Sequence, residues 1–164
     1  MDVTSWVPAY VGVGSNLHDP PEQVRAAMAQ LATLPRSRVM RCSGLYLSAP
    51  LGPVSQPDFV NAVAALLTQL TLAEFFAALR ALETRLGREP TRQRWGPRRI
   101  DLDLLIFGSQ RHADSQLTVP HPGIVARNFV LYPLADVAPE LEVPELGRVS
   151  QLRDHVGAQG ISRL

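Results

Sequence analysis

The chain has no lysine; all 16 of its basic residues are arginine. That absence excludes a P-loop lysine, the strand lysine of protein kinases and a Schiff base. Any polyanion handled here must be met by Arg, His, backbone N–H or a metal ion. There is one cysteine, Cys42, so the chain has no internal disulfide and no Cys cluster for zinc. A reducing, cytoplasmic setting is the expectation. No apolar run approaches the roughly 20 residues of a membrane span, so no membrane partner is expected. The opening residues, MDVTSWVPAY, carry neither a basic nor a long apolar region, and a cleaved secretory signal is not expected. With 16 basic against 15 acidic residues, the net charge of +1 gives no general field for nucleic acid, and none is expected as a partner. Hydrophobic residues at 46% and charged residues at 19% exclude a disordered chain and a highly charged coiled coil. At 164 residues the chain reads as one domain over 1–164, burying roughly 70% of the surface its unfolded form exposes. A monomer is expected.

Proline and glycine punctuate the chain, and periodic segments lie between them. Residues 8–13 read as a buried strand, ending in a turn at Gly14-Ser15-Asn16. Asp19, with Pro20, Pro21 and Glu22 behind it, is expected to cap a helix. Val24, Ala27, Met28, Leu31 and Leu34 form its apolar face. Residues 38–47 read as a strand, 48–58 as an irregular loop with three Pro, and 59–69 as a strand. Thr71 and Glu74 have capping-box spacing, Leu72, Phe75, Phe76, Leu79, Leu82 and Leu86 recur at helical spacing, and Gly87 ends the helix. Residues 99–107 read as a strand, 116–119 as a short strand, and 128–136 and 149–156 as helices. The order β-α-β-β-α-β with C-terminal additions implies an α+β sandwich, helices packed on a mostly antiparallel sheet.

Asp101 and Asp103 stand two apart in a strand and so project from one face. Paired carboxylates repel unless a cation lies between them, and oxygen ligands of this kind suit Mg²⁺. A solvated strand face is the ordinary alternative. Before the pair come Arg88, Arg92, Arg94, Arg98 and Arg99, with Trp95, Gly96 and Pro97 among them. Guanidinium forks match phosphate oxygens, and a Trp in a polar loop is suited to cover a flat ligand. A solvated loop, or plain salt bridging of these Arg to the carboxylate pair, is the ordinary reading. Carboxylates for a metal beside an Arg loop are what phosphoryl transfer requires, since that chemistry is largely positioning and charge neutralisation.

The stretch from Arg94 to Leu105, RWGPRRIDLDLL, resembles the signature of the 6-hydroxymethyl-7,8-dihydropterin pyrophosphokinases. So do Tyr10–Leu17 (YVGVGSNL), Pro50–Pro53 with Gln56–Asn61, and Leu117–Pro122 with Arg127–Leu131. Pro133–Pro139 (PLADVAP) resembles the family's closing helix and turn. The blocks keep the family's order over residues 9 to about 140. The resemblance implies a ferredoxin-like β-α-β-β-α-β sandwich and transfer of pyrophosphate from ATP to the pterin hydroxymethyl group, releasing AMP. It implies that Asp101 and Asp103 hold two Mg²⁺ and that Arg88 and Arg98 grip phosphates, these four being the catalytic set. It places the pterin among Ser48, Ala49, Leu51, Phe59, Asn61, Trp95 and Phe129, with Phe59 and Phe129 stacking on the ring. It places ATP at Glu83, Arg88, Trp95, Arg98, Leu104, Thr118, His121 and Arg127. The loops at 48–58 and 88–98 are expected to close on the substrates. The competing reading is a ferredoxin-like ligand- or RNA-binding module without catalysis; RNA would want exposed aromatics where Asp101 and Asp103 stand.

Overall fold

Residues 5–50, 52, 53, 55–87 and 99–164 are described in the computed structural model. Strand β1 (Val7–Ser15) alternates strictly, with Ala9, Val11 and Val13 buried on one face and Tyr10, Gly12 and Gly14 on the other. It runs past the expected stop, because Gly14 and Ser15 still pair with β4; the turn begins at Asn16. Helix α1 (Pro20–Gln30) starts with proline in its first turn, where the missing N–H costs nothing. Asp19 precedes it in a left-handed conformation and its side chain caps nothing. A single turn of tighter helix, Leu31–Thr33, continues the same apolar stripe.

The strand expected over 38–47 is two strands, β2 (Ser37–Cys42) and β3 (Tyr46–Ser48). Both pair with β4 (Phe59–Thr68). Between the pairs Cys42–Ala64 and Tyr46–Asn61 the first strand advances four residues and the second three, so Ser43–Leu45 holds one extra residue. Ser43 fixes the kink: its hydroxyl accepts the Val63 N–H at 2.8 Å and donates to the Gly44 carbonyl at 2.7 Å. Helix α2 (Leu72–Arg85) has both halves of the expected capping box. Gly87, at φ +90°, follows its end in a conformation that suits glycine.

Strand β5 (Asp101–Phe107) carries one irregularity. Tyr10 pairs with Ile106 and Val11 with Leu104, so Leu105 is an extra residue. Leu105 and Ile106 therefore both join the second cluster below, while Leu104 and Phe107 join the first. Two short hairpins follow, β6 (His112–Ala113) with β7 (Thr118–Val119), and β8 (Glu142–Val143) with β9 (Gly147–Arg148). Helix α3 (Asn128–Val137) lies between them and α4 (Val149–Val156) after them. Strand β10 (Ile161–Arg163), which no periodicity announced, pairs with β3.

The main sheet is antiparallel throughout, in the order β10-β3-β4-β1-β5, with β2 also on β4. This is the ferredoxin-like order with the second strand split and an added edge. One face buries Val24 and Ala27 of α1, Leu31 of the turn that follows it, and Phe75, Leu79 and Leu82 of α2. The other buries Leu131 and Leu134 of α3 and Val149 of α4 against Val63, Leu105 and Ile106. The second cluster covers only part of its face, and the uncovered part is the candidate site.

Candidate active site

Three strands supply the floor. Gly14 pairs with Asn61 on one side and Asp101 on the other; Gly12 pairs with Val63 and Asp103. Two rows therefore cross the sheet, Asn61–Gly14–Asp101 and Val63–Gly12–Asp103. Asn61 and Asp101 stand two strand spacings apart, about 10 Å, with only glycine between. Gly14 lies inside the strand, as Gly12 does, rather than in the expected turn, and space explains both. A Cβ on Gly14 would lie 3.3 Å from Asn61 Oδ1, and one on Gly12 would lie 3.5 Å from Leu105. Side chains there would fill the cavity.

Above this floor is a cavity of about 250 Å³ lined by Ser48, Ala49, Phe59, Asn61, Asp101, Asp103, His121, Arg127 and Phe129, among others. Phe59 and Asn61 share a face of β4, and Ser48 comes from β3; Asn61 Nδ2 donates to Ser48 Oγ at 2.7 Å. Asn16, buried at the end of β1, donates to Gln56 Oε1 at 2.8 Å and to the Pro57 carbonyl at 2.9 Å. It ties the β3–β4 loop to the rim, a positioning role the sequence did not announce. Arg127 and Phe129 flank the start of α3, with the Arg127 guanidinium 5.8 Å from the Phe129 ring centre. His121 is held by its backbone N–H to the Leu105 carbonyl at 2.8 Å. Its Nδ1 accepts the Gly123 N–H at 3.1 Å, so the neutral ring carries its hydrogen on Nε2. Burial, then Arg127, lowers the His121 pKa, with Asp101 opposing.

Asp101 and Asp103 project into this cavity together. Burial, then Asp101, then Glu83 push the Asp103 carboxyl up to about 7, against the pull of Arg80 and Arg127. Two carboxylates side by side in a partly covered pocket repel one another. That donor set fits a hard cation such as Mg²⁺, which takes one or two carboxylates and completes its shell from water and phosphate. Among the described residues no group of three or more His, Cys, Asp or Glu gathers to hold a metal by protein ligands alone.

Other expected site residues lie elsewhere. Leu104 is buried on the opposite face, among the α1–α2 cluster, so only its backbone could meet a ligand. Thr118 sits on β7, outside the cavity lining. Glu83, 3% exposed, accepts the Leu102 N–H at 2.7 Å and pairs with Arg80 at 3.1 Å. Arg80 donates to the Leu102 carbonyl. The pair thus grips, from outside, the peptide between the two aspartates. Arg88, Trp95 and Arg98, with the rest of loop 88–98, and Leu51 lie outside the described residues.

Residues 10–139 match the family described as 7,8-dihydro-6-hydroxymethylpterin-pyrophosphokinase. A Pseudomonas aeruginosa 2-amino-4-hydroxy-6-hydroxymethyldihydropteridine pyrophosphokinase is 48% identical over 155 residues, covering 94% of this chain and 95% of that protein. The Haemophilus influenzae protein of the same name is 38% identical over 146 residues, covering 89% and 91%. Among solved structures, a Plasmodium falciparum HPPK-DHPS superposes with a TM-score of 0.76 at 12% identity. It covers 99% of this chain, which spans only 49% of that longer one, and the likeness concerns the fold alone.

Proposed function

The chain belongs to the 7,8-dihydro-6-hydroxymethylpterin-pyrophosphokinase family and transfers a pyrophosphoryl group to hydroxymethyldihydropterin in folate biosynthesis; on that premise we propose how its residues divide the work. The carrying observation is the row Asn61–Gly14–Asp101, which sets a ring-recognising amide and a metal-holding carboxylate on either side of a glycine. The pterin lies between Phe59 and Phe129, which cover its two faces. Asn61, oriented by Ser48, meets its polar edge with a donor and an acceptor. Backbone groups of Ala49 and Leu51 complete that edge. The hydroxymethyl group then points across Gly14 toward Asp101 and Asp103.

Asp101 and Asp103 would hold two Mg²⁺. Bound there, the metal supplies charge neutralisation at the phosphates and the hydroxyl oxygen. His121 and Arg127 meet ATP phosphates, His121 through its Nε2–H and Arg127 through its fork. Arg88 and Arg98 grip the transferred group, and Trp95 covers the site. Of the other expected nucleotide contacts, Leu104 could meet ATP only through its backbone, and Glu83 acts indirectly by holding Leu102 between the two aspartates. The hydroxymethyl oxygen bonds to the β-phosphorus of ATP and gives up its proton to solvent, the bond from that phosphorus to the bridging oxygen of the α-phosphate breaks, and AMP leaves with that oxygen. The RNA-binding alternative is not favoured by the family match.

Incubation with ATP, Mg²⁺ and 6-hydroxymethyl-7,8-dihydropterin, followed by separation of the nucleotides, tests this reading. AMP forming in step with pterin consumption is the expected result. ADP as the product, or AMP independent of pterin, would overturn it.

A further inference from the structure

The last described segment touches no part of the cavity, yet it joins both of its walls. Asn128, between Arg127 and Phe129, sends its Nδ2 to the Gly157 carbonyl at 3.1 Å and the Gln159 carbonyl at 2.7 Å. Two residues on from Gln159, Ile161, Ser162 and Arg163 pair with Ser48, Leu47 and Tyr46 of β3. The Leu164 N–H donates to the Leu45 carbonyl at 2.9 Å. Arg163 then reaches the Tyr46 hydroxyl at 3.3 Å and Asp136 of α3 at 3.4 Å. Asp136 also accepts from Tyr46 at 3.0 Å and from the Gly44 N–H at 3.1 Å. The segment is thus fixed at one end beside Phe129 and at the other beside Ser48, residues that both line the cavity.

We infer that residues 157–163 form a strap that sets the width of the pterin slot, with Asn128 and Arg163 as its positioning residues. The inference rests on the assignment of the pterin to the Phe59–Phe129 cavity. Stacking needs the second ring at a fixed separation; α3 meets β3 directly further along the helix, where Tyr132 and Asp136 meet Tyr46, whereas its start carries Phe129. Its start touches the sheet edge through the strap. A bond from one side-chain amide to two carbonyls is a short, directional tether, and an alanine there leaves both carbonyls to water. The strap acts on the wall that carries Phe129 and Ser48, so it tunes pterin binding and leaves the aspartates alone.

The test uses the full chain and four variants, with pterin binding at equilibrium, KM for each substrate, kcat and thermal unfolding as readouts. Asn128→Ala is expected to weaken 6-hydroxymethyl-7,8-dihydropterin binding about fivefold or more, with kcat and the KM for ATP close to those of the parent. Arg163→Met is expected to act in the same direction. The double variant should be no worse than the weaker single one, because both release one strap. Unchanged pterin affinity in the folded single variants, parallel losses for pterin and ATP, or multiplied effects in the double variant would each overturn the strap. Phe129→Ala separates the two readings. If it too leaves pterin affinity unchanged, the site assignment has failed; if it alone weakens binding, the strap has failed.

Discussion

Gly14 shows what a missing side chain contributes to a site. Its hydrogen leaves open the gap between Asn61 and Asp101, and a methyl there would press on Asn61 Oδ1 at 3.3 Å. Gly14→Ala is expected to raise the KM for pterin about tenfold, about 1.4 kcal/mol, with a folded protein by circular dichroism. An unchanged KM would contradict the floor assignment. Asp103 illustrates the opposite case, a charge kept where folding alone would remove it. Asp103→Asn is expected to lower turnover at least about 100-fold and to raise the melting temperature of the metal-free protein at pH 8. The sign follows from the raised pKa. The folded carboxyl holds its proton up to about pH 7, the unfolded one only to 3.8, so the folded state loses stability as pH climbs between them. The advantage of the Asn variant should therefore vanish toward pH 4. At this scale the sequence was legible where chemistry is local: Asp101 and Asp103 needed only strand spacing. Gly14 read as a turn, and neither it nor Gly12 as the floor of a site, because their meaning depends on which residues lie beside them on two other strands, and register is not written in any one segment.

Elements were legible where a period and a punctuation mark agreed. Helix α2 follows from its capping box, its apolar stripe and Gly87, and α4 occupies the expected residues. Strand β10 has three residues and no period to show; it exists because β3 offers an open edge. The split of β2 from β3 turns on Ser43, whose side chain takes the place of a backbone partner. The same device appears on β5, where Arg80 and Glu83 take up the N–H and C=O of Leu102. Glu83→Ala is expected to cost about 2 kcal/mol in urea unfolding, the loss of a buried acceptor for a backbone N–H. Arg80 limits the loss, since its side chain is 41% exposed and can return to water. A cost below about 0.5 kcal/mol would show that the grip contributes little to β5.

For the whole molecule, two cores on opposite faces of one sheet divide the labour. The α1–α2 face is closed, while the α3–α4 face stops short and leaves the floor of the site exposed. Ligands that finish covering that face should stabilise the folded state by mass action. A non-hydrolysable ATP analogue with Mg²⁺, at a hundred times its dissociation constant, is expected to add about 2.7 kcal/mol and raise the melting temperature by roughly 5–10 °C. Neither Mg²⁺ nor the analogue alone should give half of that, because each lacks the oxygens or the charge the other supplies. An equal shift without Mg²⁺ would contradict the carboxylate assignment. The grip on Leu102 has one more consequence at this scale. Strand β5 ends the sheet, and a bare final strand invites another molecule to pair with it. Two side chains from α2 and the His121 backbone already occupy bonding groups along that border. The residues that hold the aspartates in place thereby also occupy the groups through which a neighbouring copy would add a strand.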